Sequence, residues 1–316
     1  MSRCLCCGKQ LRTETANQWH SSCIKSFFGT NKLPDIDVSK EVLHQLVIDS
    51  TSKGYTVPGV QKKLSLHLTD EGETPRLTLV NYPTGFILKP QTEQYPSLPE
   101  MEYLVMQMAE ATGIKTVPYA LIRMSSQENS YAYITKRIDR IDGKMLAMED
   151  FCQLEERLTE DKYRGSYERC GKVVIKYSST SGFDITELFL RIVFSFAVGN
   201  SDMHLKNFSL IETEEGSGNY VLSAAYDMLS TNVVIPSDKE QFALTLDGKK
   251  QNIRKKDFLT FADNVGLSKK SAEKMIDKIV NLKDKYIHMC QESYLPEQMK
   301  FELEHLIEDR IAVLTQ

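Results

Sequence analysis

The sequence predicts an α+β chain of two lobes, the first mostly β and the second larger and mostly α, preceded by a small Cys-rich head. Three observations predict it. Four of the seven cysteines lie within the first 23 residues. Between residues 55 and 137, short apolar stretches alternate with period two, the pattern of half-buried strands. From about residue 148 the apolar spacing turns helical, and Ile185–Val198 is apolar nearly all round, which marks a central core helix.

Composition sets the outer bounds. With 316 residues, 41% hydrophobic and 26% charged, the chain is ordinary globular protein, long enough for two lobes with a cleft between them. A net charge of −4 argues against a generally basic, nucleic-acid-coating protein. No apolar run approaches the ~18 residues of a membrane span. The nearest, Leu188–Val198, is short and carries Arg191, and the N-terminus lacks the apolar run of a signal peptide. The expected location is the cytoplasm.

The elements follow in order. Residues 1–34 form the head, 35–140 the β lobe and 141–316 the helical lobe. Residues 35–50 carry apolar positions at Val38, Val42, Leu43 and Leu46 and predict a short helix. Strands are predicted at 64–68, 77–80 and 86–89, with turns at Gly72 and at Pro83 to Gly85. One helix interrupts at about 99–112. Its Met101, Leu104, Val105, Met108 and Ala109 fall on one face, and Gly113 stops it. Strands follow at about 118–124 and 131–137, a strand pair near 208–225, and amphipathic helices from about 255 to 316.

The head carries Cys4-x2-Cys7 and, after twelve residues, His20-x2-Cys23. Two close pairs at that separation are zinc-type spacing, and Cys3His is an accepted structural set. A metal would stabilise a head too small for its own core. Cys6 competes with Cys7 as ligand, and reduced free cysteines are the plainer alternative.

In the helical lobe, Asn200-Ser-Asp202-Met-His204-Leu-Lys206-Asn207-Phe208 follows the core helix directly. Kinase-type phosphotransferases use an Asp to accept the substrate hydroxyl proton and an Asn five positions on to hold magnesium. A polar loop capping a helix has the same look. Asp227, in Ala225-Tyr226-Asp227, ends an apolar strand and offers a second hard oxygen ligand, although an Asp there also simply starts turns. Lys89 closes the apolar run Phe86-Ile-Leu-Lys89, where a charge must be solvated or paired. Glu102, on the following helix, is the expected partner, in the strand-Lys to helix-Glu arrangement that grips nucleotide phosphates. As a first-turn acid it also favours the helix dipole. Upstream, Gly54 to Lys63 could cover phosphates with backbone N–H groups, assisted by Lys63.

Taken together, these residues resemble the HipA-like serine/threonine kinases of bacterial toxin–antitoxin systems. The matching pieces run in family order: Pro58-Gly59-Val60-Gln61-Lys62-Lys63, Phe86 to Lys89, Glu102-Tyr103, Thr135 to Arg140, Met148 to Gln153, Ser201 to Phe208 and Tyr226-Asp227. The resemblance implies a two-lobed protein-kinase-like fold, ATP and Mg²⁺ as cofactors, and transfer to a Ser or Thr of an intracellular protein. It implies Asp202 as proton acceptor, Asn207 and Asp227 as magnesium ligands, and Lys89 on the phosphates. Pro58 to Lys63 become the phosphate loop, Lys136-Arg137-Ile138 the adenine hinge, and His204, Lys206, Asn207 and Tyr226 nucleotide neighbours. It also implies a growth-arresting toxin whose family targets aminoacyl-tRNA synthetases, held by a helix-turn-helix antitoxin through which alone DNA is met. The head stands where the long family form has an extra β-rich subdomain, so a separately encoded protein of that kind is a further expected partner. The hinge departs from the usual Glu-Arg-Phe. Thr56 aligns with a Ser that the family phosphorylates on itself. Small-molecule phosphotransfer on the same scaffold and a non-catalytic nucleotide-binding subunit are the competing readings.

Overall fold

The computed structural model describes residues 2–12, 17–36, 63–69, 74–78, 85–124, 130–141 and 143–316. The chain divides into two compact units. The first comprises residues 1–103 and 117–140, the second 104–116 and 141–316. Among the described residues no helix is long and apolar enough to cross a membrane.

The first unit is built on a six-stranded sheet of order β1-β3-β2-β4-β6-β5. Its strands are β1 (Asp35–Ile36), β2 (Leu64–Thr69), β3 (Arg76–Thr78), β4 (Phe86–Lys89), β5 (Tyr119–Arg123) and β6 (Tyr131–Lys136). All pairings are antiparallel except β1 with β3. The centre is firmly registered, with Leu66 opposite Phe86 and Leu88 opposite Ile134. Leu66, Leu88 and Ile134 are fully buried, so a one-residue slip would turn this apolar set outward. Asp35 and Ile36 form a strand where a helix was expected to start. The Asp35 N–H donates to the Pro75 carbonyl at 2.9 Å, so the parallel edge satisfies a donor that the first turn of a helix would leave unpaired. The rest of that expected helix lies outside the described residues. So do Thr56 and five of the six phosphate-loop positions, Pro58, Gly59, Val60, Gln61 and Lys62.

The Cys-rich segment belongs to this unit. Helix α1 (Ser21–Phe28) ends at Gly29, whose φ of +79° suits the left-handed C-cap. The aromatic rings of Trp19, Phe27 and Phe28 pack against Phe86 of β4 or one another at centroid distances between 4.8 and 5.9 Å. The Leu5 carbonyl accepts the N–H of Leu121 on β5 at 2.9 Å.

Helix α2 (Leu98–Thr112) follows β4 and stops at Gly113, φ +86°. Short strands β7 (Arg140–Ile141) and β8 (Lys144–Met145) come next. In the second unit Met148–Asp150 forms β9, although its sequence read as helical. It pairs with β10 (Ser209–Glu212), which also pairs with β11 (Tyr220–Leu222). Three residues are too few to show a period, and the partner lies some sixty positions on. Asp150 then caps α3 (Phe151–Leu154) through a reciprocal capping box with Gln153. Helices α4 (Tyr167–Tyr177) and α5 (Ser181–Ala197) lead to the loop at 198–208, with α5 buried along most of its length. A four-residue helix α6 (Thr231–Val234) is followed by α7 (Lys255–Asn264), α8 (Lys269–Asn281), α9 (Lys283–Gln291) and α10 (Glu297–Thr315). Arg191 sits inside α5 at 1% exposure because its guanidinium is satisfied twice, by Glu187 at 2.9 Å and by the Ser223 carbonyl at 2.7 Å.

Candidate active site and candidate metal centre

The expected site residues fall into two groups, one in each unit. In the first, Lys89 at the end of β4 meets Glu102 of α2, Nζ to Oε1, at 2.5 Å. Their side chains are 3% and 0% exposed. The Lys89 ammonium also lies 5.2 Å from the centroid of the Tyr133 ring, whose π face favours a cation. Alternation along β4 sets this up, since Leu88 faces the core from one side of the pleat and Lys89 projects from the other. Lys136, Arg137 and Ile138, at the end of β6, are half-buried. The Arg137 guanidinium grips Asp139 bidentately at 2.9 and 2.7 Å, and Arg140 adds a bond at 2.6 Å. Burial alone would raise the Asp139 carboxyl, but the two arginines hold it below the ordinary range. The Arg137 N–H donates to the Gly85 carbonyl at 2.8 Å, so both its side chain and its amide are engaged within the unit. Lys63 lies exposed just before β2.

In the second unit the loop after α5 is pinned residue by residue. Gly199 has φ +68°, and a Cβ there would lie 2.7 Å from the Leu306 side chain. The Ser201 N–H donates to Thr231 Oγ1 at 2.7 Å, and its hydroxyl donates to Asp238 Oδ2 at 2.6 Å. A 3-10 turn, Leu205–Asn207, carries the chain back, so that Asn207 Nδ2 donates to the Asp202 carbonyl at 2.8 Å. This contact orients the Asn207 amide and brings together the two residues that the spacing singled out. Phe208 anchors the exit, stacked on Phe151 at 5.6 Å. His204 is buried and Lys206 pairs with Asp150 at 2.6 Å. The Tyr226 hydroxyl lies 2.5 Å from Ser209 Oγ and 3.2 Å from the Lys206 carbonyl, so it braces the loop against β10. Asp227 has φ +55°, a left-handed conformation that a non-glycine residue adopts at some cost and that recurs where function demands it. An amide oxygen from Asn207 and a carboxylate from Asp227 are hard donors of the kind magnesium selects.

Sequence reasoning missed Tyr163. Its hydroxyl donates to Asp202 Oδ1 at 2.7 Å, and its ring meets His204 edge-on at 5.1 Å. Partial burial, the residue being 43% exposed, and then the Asp202 charge push this phenol above its usual range, so it stays a proton donor. No periodicity marks a loop tyrosine thirty-nine residues from its partner.

The head gathers Cys4, Cys7, His20 and Cys23, with one ligand atom from each all within 4.8 Å of one another. Cys7, rather than Cys6, joins the group. Cys7 Sγ and Cys23 Sγ lie 3.4 and 3.8 Å from His20 Nδ1. Bonds of about 2.3 Å to sulfur and about 2.05 Å to nitrogen place tetrahedral ligands about 3.5–3.8 Å apart. The outer shell agrees. His20 Nε2 sits 3.3 Å from the Gln10 carbonyl, which can only accept, so Nε2 carries the proton and Nδ1 is left as the ligand. The His20 N–H donates to Cys4 Sγ, and Gly8, φ +70°, turns the chain beneath the first pair. Backbone donors from Cys7, His20 and Cys6 outweigh burial and lower the Cys4 thiol, whereas burial, then the charges of Cys4, Cys6 and Cys7, raise Cys23. A divalent cation would relieve that crowding.

A family model described as HipA-like C-terminal domain matches residues 55–286. A Haemophilus influenzae protein named "Putative kinase" is 26% identical over 274 residues, 78% of this chain and 77% of its own. Y4dM of Sinorhizobium fredii, named in the same terms, is 33% identical over 56% of this chain and 45% of its own length. Among solved structures, HipA from the Shewanella oneidensis toxin–antitoxin complex with HipB and operator DNA superposes with a TM-score of 0.66 at 18% identity, covering 85% of this chain and 70% of that one. A Helicobacter pylori proinflammatory kinase, CtkA, gives 0.54 at 14% identity, over 79% and 95%. Both likenesses bear on the fold, a kinase-like one with a mostly β first lobe and a mostly α second.

Proposed function

The chain belongs to the HipA-like C-terminal domain family, and on that premise we propose that it is an ATP-dependent serine/threonine protein kinase acting as the growth-inhibiting toxin of a toxin–antitoxin system. One observation carries the catalytic reading: Asp202 is held on a pinned loop with Asn207 folded back onto it and with the strained Asp227 following β11. The Asp202 carboxylate accepts the proton of the acceptor hydroxyl. Asn207 and Asp227 would hold magnesium, which would supply charge neutralisation at the transferring phosphoryl group. By family membership Lys89, paired with Glu102, is the cation assigned to the nucleotide phosphates. Incubation with γ-labelled ATP and whole lysate tests this. Label on Ser or Thr of a discrete protein is the expected outcome, and label confined to small molecules overturns the protein-kinase reading.

The toxin reading rests on family membership and on the HipA complex with its antitoxin. Expression of this chain alone is expected to arrest growth. The arrest should be relieved by a helix-turn-helix partner encoded nearby and absent for Asp202→Asn. Normal growth despite measurable kinase activity refutes the toxin role.

The head is read as a structural zinc site formed by Cys4, Cys7, His20 and Cys23. Three thiolates and an imidazole are soft donors that suit zinc and not magnesium. Elemental analysis of unchelated protein is expected to give one zinc per chain. Cys23→Ser should lose it and lower the melting temperature. Protein free of zinc as isolated refutes the site.

A further inference from the structure

We propose that Tyr163 is a positioning residue for phosphoryl transfer, fixing the rotation of the Asp202 carboxylate so that one oxygen is always presented to the acceptor hydroxyl. The inference rests on Asp202 as proton acceptor. The last torsion of an Asp side chain is broad and nearly two-fold, so rotamer preference alone does not hold a carboxylate in one orientation. The bonds from Asn207 Nδ2 to the Asp202 carbonyl and from the Asp202 N–H to Asn200 Oδ1 fix the backbone rather than the carboxylate. The Tyr163 hydroxyl acts on the carboxylate itself, at Oδ1.

The placement of Tyr163 is built rather than incidental. Its loop is docked onto the catalytic loop on both sides of it. The Leu205 N–H donates to the Lys162 carbonyl at 3.1 Å, and the Tyr167 hydroxyl donates to the Met203 carbonyl at 3.1 Å. The Tyr167 N–H is held by the Thr245 carbonyl at 2.9 Å, so the end of this loop is tied to the body of the unit. The ring of Tyr163 rests edge-on against His204, and Lys162 Nζ lies 4.9 Å from the ring centroid. The ring of this residue, 43% exposed, thus rests on His204 and Lys162 while the hydroxyl is held by charge, which separates the two roles for mutation.

Tyr163→Phe keeps the ring and deletes the donor. Steady-state transfer from γ-labelled ATP into total lysate protein is measured for wild type, Tyr163→Phe, Asp202→Asn and the double variant, with ATP affinity and melting temperature for each. The expected result for Tyr163→Phe is a fall in kcat on the order of 10-fold, the loss of a hydrogen bond to a charged group. KM for ATP and the melting temperature stay at wild-type values, and the double variant is no slower than Asp202→Asn alone, because the tyrosine acts only through that carboxylate. An unchanged kcat overturns the proposal. So does a raised kcat/KM, which would make Tyr163 a plug on Asp202, or a raised KM at constant kcat, which would make it a binding contact. If Asp202→Asn transfers as fast as wild type, the base assignment itself fails. If Asp202→Asn is impaired while Tyr163→Phe matches wild type, only the present inference fails.

Discussion

Asp202→Asn is expected to reduce phosphoryl transfer roughly 10²–10⁴-fold, the range a positioned general base supplies, while nucleotide affinity stays near wild type. The amide is isosteric. It can still accept from Tyr163 through its oxygen, and nothing in the pinning of the loop by Ser201, Thr231 and Asp238 depends on the lost charge. What disappears is the ability to take up a proton. Binding measured with a non-hydrolysable ATP analogue separates the two effects. Transfer within a few-fold of wild type would remove Asp202 from the chemistry, and a collapse of nucleotide binding would make it a ligand rather than a base.

The second large effect concerns the pair Lys89 and Glu102. Both are essentially withdrawn from water, and their bond is short. Removing one partner of a buried pair strands the other charge, at a cost of about 3–5 kcal/mol. Lys89→Met is therefore expected to lower stability by that amount and to abolish transfer. The double variant Lys89→Met/Glu102→Leu should recover much of the stability, since well-packed apolar residues often replace a buried pair without loss. It should recover no activity. Urea unfolding of the three proteins, with activity measured alongside, checks this. A Lys89→Met protein as stable as wild type would mean that Glu102 finds other compensation. Activity in the double variant would show that the lysine is dispensable for the phosphates.

Much of this arrangement was legible in the chain. The apolar face of α2 announced its helix to within a residue, because five apolar positions at helical spacing over two turns leave little alternative. The Lys89 to Glu102 pairing followed from the rule that a charge closing an apolar strand needs a partner, and from the strand-Lys to helix-Glu arrangement of kinases, which points to Glu102. The Cys4 to Cys23 grouping followed from spacing because metal ligands come in local pairs. Other features were out of reach for a common reason. The strand character of Met148–Asp150 is fixed by β10, some sixty residues away, rather than by its own three side chains. Tyr163 gains its meaning only from Asp202. The docking of the head on β5 includes a backbone bond, from Leu121 N–H to the Leu5 carbonyl, and side-chain patterns carry no information about which backbone group meets which.

That carbonyl has a further consequence. β5 is the last strand of its sheet, and a terminal strand carries a row of outward N–H and C=O groups able to recruit another chain. In this protein the Leu5 carbonyl occupies the outward N–H of Leu121, while Gln18 reaches Arg123 further along the same strand at 3.2 Å. The Cys-rich segment thus serves as a guard against edge-to-edge association. A chain deprived of its first thirty residues would suffer in solubility before it suffered in chemistry, and would tend to self-assemble through β5.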